Sequence, residues 1–153
     1  MAKQTKRSPE RERFLRDILI TICEGGSNYW MQARKVERVE APGTDEHLDY
    51  LSMEVRSIEE PVKCEAFDTT KWKRLDLDVL ARGITRILGS LGEDAPKNAY
   101  GSDSWRQSAA CGVRKDIFAN VATGNAANEG GDIDSEIADC IAQAGLWGHI
   151  VYG

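Results

Sequence analysis

Histidine is nearly missing from this chain, cysteines never pair at metal-binding spacing, and the last quarter has no lysine or arginine. Each shortage closes off a class of function. Only two histidines, His47 and His149, occur among 153 residues, and neither has a second ligand at i,i+4 spacing. HExxH is missing. Cys23, Cys64, Cys111 and Cys140 are scattered without a CxxC pattern, so the regular ligand spacing of a zinc module is not there. Asp132-Ile133-Asp134-Ser135-Glu136 has the residue types of a calcium loop but lacks its frame and its internal glycine, and helix capping explains it better. There is no GxSxG elbow, and the glycine-rich Gly124–Gly131 stretch has no strand before it and no lysine after it, so it does not make a phosphate loop. Cys23 lies near the C-terminal end of a predicted helix, where the dipole disfavours a thiolate. We assign no catalytic residue, no metal ligand and no cofactor, and a non-enzymatic role is the preferred expectation.

Long apolar runs are lacking as well. Nothing approaches the ~18 apolar residues that a membrane span requires, and the charged N-terminus has neither the apolar core nor the cleavage site of a signal peptide. A domain of this length does not need disulfide staples, so the four cysteines are expected as buried thiols in a cytoplasmic protein.

What is present fits one soluble domain: 41% of residues are apolar and 29% charged, both ordinary values. Residues 1–8 read as a disordered basic terminus and 9–153 as a single globular unit. A net charge of −5 argues against direct nucleic-acid binding, which needs a basic face to release phosphate counterions. Lys3, Lys6, Arg7, Arg11, Arg13 and Arg16 crowd the start, whereas no Lys or Arg occurs from Asp116 onward. A basic end and an acidic end are expected.

Ser8-Pro9-Glu10 reads as a cap, a first-turn proline and an acidic first turn, and Phe14, Leu15, Ile18, Leu19 and Ile22 repeat at helical spacing up to Gly25-Gly26. Residues 29–39 and 50–58 alternate around the Pro42-Gly43-Thr44-Asp45 turn, which predicts a hairpin with one packed and one wet face. Pro61 to Phe67 could add a short strand. Asp76 precedes an apolar stripe of Leu77, Leu80, Ile84, Ile87 and Leu88 that ends at Gly89, and Gly83 within it implies a close backbone approach. A third helix is read from Asp103 to Val121 with a bend near Gly112, followed by a Gly124–Gly131 linker. A last helix is capped by Asp132 or Asp134 and ends at Gly148, and a terminal strand, His149 to Tyr152, is expected to join the sheet. The expected fold is α+β: a small, mostly antiparallel sheet, made of the hairpin plus the C-terminal strand, packed against about four helices.

The run Glu24-Gly25-Gly26-Ser27-Asn28-Tyr29-Trp30 holds the most chemistry. A carboxylate, an amide and two amphipathic rings lie beside a tight turn, and they can line a pocket or form a core junction. Glu24 is the acid with aromatic neighbours, and it reads either as a functional carboxyl or as a surface residue at a helix end, where its charge is slightly unfavourable. Gln143, beside the apolar stripe of the last helix, must find partners in Tyr29, Tyr152 or a ligand. The candidate ligand-binding residues are therefore Glu24, Asn28, Tyr29, Trp30 and Gln143. Trp30 and Trp147 are expected in the core, while Trp72, between Lys71 and Lys73, is the candidate contact for a partner protein.

Three stretches together resemble an uncharacterised family of short proteins encoded by actinobacteria, their phages and their mobile elements. They are Glu24 to Trp30, Leu75-Asp76-Leu77-Asp78-Val79-Leu80-Ala81-Arg82-Gly83, and Ala138-Asp139-Cys140-Ile141-Ala142-Gln143 with the ending Gly148 to Gly153. The likeness runs from about Arg11 to the end of the chain, although Trp147 and His149 stand where a phenylalanine and an acid are expected. It implies a genetic context, a phage or mobile-element accessory protein, rather than a chemistry. Two functions follow as expectations. One is a non-enzymatic binder that occludes a host macromolecule, such as a component of host defence. The other is a pocket for a nucleotide or other small molecule at the Glu24–Trp30 turn, with an aromatic ring stacking on a base.

Overall fold

Ser8 opens the first helix, α1 (Pro9–Thr21): its Oγ accepts from the Arg11 N–H at 3.1 Å, and Glu10 and Glu12 occupy the positive first turn. The computed structural model describes residues 6–40, 48–65, 67–89, 115–148 and 150–152. Phe14, Leu15, Ile18 and Leu19 are the buried face of α1. The helix does not stop at once but widens into a π-helical turn, Ile22–Gly26. Gly26 is required there, because a Cβ would stand 2.8 Å from the Ser135 carbonyl oxygen.

The chain then forms strand β1 (Met31–Glu40), strand β2 (Leu48–Ser57) and, later, the short strand β3 (Lys73–Asp76). All pairings are antiparallel, in the order β1-β2-β3, with Arg34 opposite Glu54 and Met53 opposite Leu75. Register shifts between Arg34 and Arg38 mark an irregularity in β1, where Lys35 takes φ 52°. One sheet face is packed through Met53, Val55 and Leu75, and the other is wet, as the alternation predicts.

Asp76 caps α2 (Leu77–Leu88) by accepting from the Val79 N–H at 3.0 Å. Next come α3 (Lys115–Ala127), a 3₁₀ turn (Gly130–Asp132) and α4 (Ser135–Trp147), which Asp134 caps through the Ile137 N–H at 2.9 Å and which Gly148 ends at φ 75°. Helix α4 is the centre of the molecule: every residue from Ile137 to Trp147 is buried. It crosses α2 at backbone contact. A Cβ on Gly83 would fall 2.1 Å from the Ile141 carbonyl oxygen, and one on Gly145 would fall 2.2 Å from that of Val79. Asp49, 3% exposed on β2, ties α1 to the sheet by accepting from Arg13 at 2.9 and 3.2 Å and from Arg16 at 3.2 Å.

The fold is α+β: the described residues form four α-helices and a three-stranded antiparallel sheet. Three details differ from the sequence expectation. The third strand is Lys73–Asp76, not the C-terminal segment, because side-chain bonds from α4 hold residues 150–152 in place of a strand partner. Pro61 to Phe67 contributes one isolated bridge, Lys63 to Asp68, rather than a strand. The Gly124–Gly131 linker is half helix, since α3 continues to Ala127, with Gly124 closely packed against Glu129 and Ile133. The hairpin turn, the bend near Gly112, Trp105, Cys111 and both histidines lie outside the described residues.

Candidate functional site

A helix buried on all sides cannot leave a polar side chain unanswered. Helix α4 carries two, Asp139 (4% exposed) and Gln143 (fully buried), one turn apart on one face. The turn after α1 supplies the donors. Ser27 Oγ and Trp30 Nε1 donate to Asp139 Oδ1 at 2.6 and 2.7 Å, and the Tyr29 hydroxyl and Gln143 Nε2 donate to Oδ2 at 2.5 and 2.9 Å. Four donors thus share two carboxylate oxygens. Burial pushes the Asp139 carboxyl above the usual aspartate range, and the four donors pull against that shift. Burial, reinforced by the bond to Asp139, pushes the Tyr29 phenol well above its ordinary value.

Gln143 relays this lock to the C-terminal segment. Its Oε1 accepts from the Val151 and Tyr152 N–H groups at 2.7 and 2.8 Å, and its Nε2 donates to the Tyr152 carbonyl at 3.0 Å. The amide side chain thereby does for residues 151–152 what a neighbouring strand would do. The Tyr152 hydroxyl reaches the Glu60 carbonyl at 2.9 Å and Thr69 Oγ1 at 3.0 Å. Its ring stacks on Trp30 at 5.8 Å between centroids, and Trp147 stands 5.1 Å from Trp30.

The structure therefore brings together three of the sequence-selected residues, Tyr29, Trp30 and Gln143, but does so around Asp139, which sequence reasoning passed over. Glu24 and Asn28 are exposed and make none of the network's bonds. Tyr29, 44% exposed, is the member of this group that solvent reaches most. Trp72 lies elsewhere, on the wet sheet face, with the Arg34 and Arg56 guanidiniums 4.0 and 4.5 Å from its ring centroid. The signal for Asp139 was its i,i+4 spacing to Gln143. Chemically the network is saturated: the Asp139 oxygens and the Gln143 amide are engaged by the chain itself, so none is positioned to move a proton on a substrate.

Burial raises the Cys23 thiol to about 12, so it is a packing group and not a nucleophile. Among the described residues no group of three or more His, Cys, Asp or Glu could hold a metal ion, and no helix is long and apolar enough to cross a membrane. No protein-family model, curated protein or solved structure matches this chain.

Charge is segregated along α4. Around its N-terminal end, Glu24, Glu129, Asp132, Asp134 and Glu136 are all exposed. Gly26 packs against Ser135 and Gly130 against Asp17, which brings the π-helical turn and α1 to the same acidic end. At the C-terminal end of α4 stand Lys73, Arg82 and Arg86.

Proposed function

We propose that the chain is a non-enzymatic binder, a phage or mobile-element accessory protein that occludes a basic surface of a host protein and so acts against host defence. The observation that carries this reading is the acidic end formed by Glu24, Glu129, Asp132, Asp134 and Glu136 where the π-helical turn meets α4. A surface of one sign steers a partner of the opposite sign and sets which partner binds. The saturated network gives further support, because the side chains best suited to catalysis or ligand reading are already bonded within the fold. For the same reason the small-molecule pocket at Tyr29, Trp30 and Gln143 has less support: Trp30 and Gln143 are fully buried.

The test is a 1:1 mixture with basic host nucleases, followed by size-exclusion chromatography and calorimetry at low and high salt. A complex that weakens steeply with salt, and weakens again in a Glu129→Gln, Asp132→Asn, Glu136→Gln variant, is expected. Absence of any salt-sensitive complex removes the proposal's basis.

A further inference from the structure

Three cations converge on the last turn of α4. Lys73 Nζ donates to the Leu146 carbonyl at 2.9 Å, Arg82 Nε to that of Gly145 at 3.3 Å, and Arg86 Nη1 to those of Ala144 and Gly145 at 2.6 and 3.0 Å. A helix C-terminus presents roughly half a negative charge, so three full positive charges exceed what capping requires several-fold. None of the three is in an ion pair among the described residues. The carboxylates nearby are already engaged: Asp76 accepts from Arg74 at 2.7 Å and from the Val79 N–H, and Asp78 pairs with Arg7. Burial, then repulsion from Arg82 and Arg86, lowers the pKa of Lys73, and burial followed by Arg82 lowers that of Arg86. Among the described residues these cations therefore meet one another and no carboxylate partner.

The cations are also accessible. A groove of about 390 Å³ is lined by Lys73, Arg74 and Arg82, by Val79 and Leu146, and by Asp76 and Asp78, whose carboxylates are the ones already bonded to Arg74 and Arg7. Arg86 stands outside that lining, and Lys73, Arg82 and Arg86 are exposed. Arg82 commits only Nε to α4 and Arg86 only Nη1, so both Nη groups of Arg82 and Nη2 of Arg86 keep their donors among the described residues. A planar pair of Nη donors beside an ammonium suits an oxyanion.

We propose that this groove binds a phosphate-class oxyanion, held by the Arg82 fork and by the charges of Lys73 and Arg86. The site is independent of the acidic end: a helix of 13 residues separates the two by roughly 20 Å, so failure here leaves the binder reading standing, and the reverse.

The experiment is an NMR titration of the ¹⁵N-labelled full chain with inorganic phosphate, pyrophosphate and a nucleoside triphosphate, each compared with sodium chloride at equal ionic strength. Saturable shifts centred on the amides of Lys73, Val79, Arg82 and Leu146, not produced by chloride, are expected. Equal affinity for pyrophosphate and the nucleotide would identify the phosphoryl group alone as the ligand. Tighter nucleotide binding at the same amides would identify a phosphorylated metabolite as its source. Arg82→Gln should weaken pyrophosphate about tenfold. Because Arg82 also caps α4, Arg82→Lys serves beside it: it keeps the charge, loses the fork, and should weaken binding with α4 amide shifts otherwise unchanged. No saturable shift, the same shifts with chloride, shifts gathered elsewhere, or Arg82→Lys binding as tightly as the wild type would overturn the proposal.

Discussion

At the scale of single residues, Asp139 and Asp49 are both buried carboxylates with opposite consequences. Asp139 meets only neutral donors, and burial raises its folded pKa above the unfolded one. Its contribution is therefore complete at pH below the unfolded value and is lost as pH rises through the folded value. For Asp49, burial alone would raise the carboxyl, but the hydrogen bonds and charges of Arg13 and Arg16 outweigh it and hold the pKa below the usual range. Its contribution is present above the unfolded pKa, about 4, and disappears as pH falls through the lower folded value. Melting temperature measured against pH should accordingly drop on acidification below about pH 4, and Asp49→Asn should flatten that drop. Asp139→Asn places an NH₂ group among donors, with the Gln143 amide already fixed by residues 151–152. A loss of about 1–3 kcal/mol is expected in urea unfolding. Tyr29, Trp30 and Gln143 were legible in the sequence because they bear polar tips beside apolar runs. Asp139 was not, because an acid in a helix is ordinarily solvated, and only the tertiary surroundings of α4 bury all of its faces.

At the scale of elements, capping residues and apolar stripes were the legible part. Ser8, Asp76 and Asp134 accept the helix N–H bonds that their positions imply, and Gly83 marks a close approach, here to α4. What was not legible is how the C-terminal segment is held. Its apolar alternation reads as a strand, and its backbone groups do find strand-like partners, but those partners belong to a glutamine side chain. Periodicity describes the demand for hydrogen bonds and is blind to who meets it. The α2–α4 crossing is the joint most sensitive to substitution. Gly83→Ala forces backbone against backbone at Ile141, where no rotamer change relieves the clash, so a loss of about 3 kcal/mol or more is expected by thermal or urea unfolding. Gly131→Ala, where nothing lies within 4 Å of the added carbon, should change stability by no more than about 0.5 kcal/mol.

At the scale of the whole molecule, the described residues place Lys73, Arg82 and Arg86 at one end of α4 and Glu24, Glu129, Asp132, Asp134 and Glu136 at the other. The basic pole, however, is built mainly by α2 and β3 rather than by the N-terminal cluster, several of whose arginines turn inward: Arg13 and Arg16 hold Asp49, and Arg11 reaches Asn128 at 3.2 Å. Counting charges along a chain cannot distinguish an arginine that fastens two elements from one that faces a partner. Each pole attracts charge of the opposite sign, so salt weakens binding at both. Capture of a basic partner at the acidic end should slow steeply as ionic strength rises, chiefly through the association rate. The neutralised acidic variant should lose that salt dependence in stopped-flow or surface-based kinetics, and a Glu129→Gln, Asp132→Asn variant that leaves Glu136 in place should keep the wild-type melting temperature within about 1–2 °C.

The Asp139 network also imposes an order of events on synthesis. Ser27, Tyr29 and Trp30 wait for a carboxylate 112, 110 and 109 residues further along the chain, and such distant pairings form slowly. While a ribosome is still translating the middle of the protein, α1 and the hairpin can assemble, but the indole that becomes their most deeply buried aromatic has no acceptor and no covering helix. The nascent chain therefore carries an open, sticky face until α4 emerges, and this is the interval in which chaperones have something to hold.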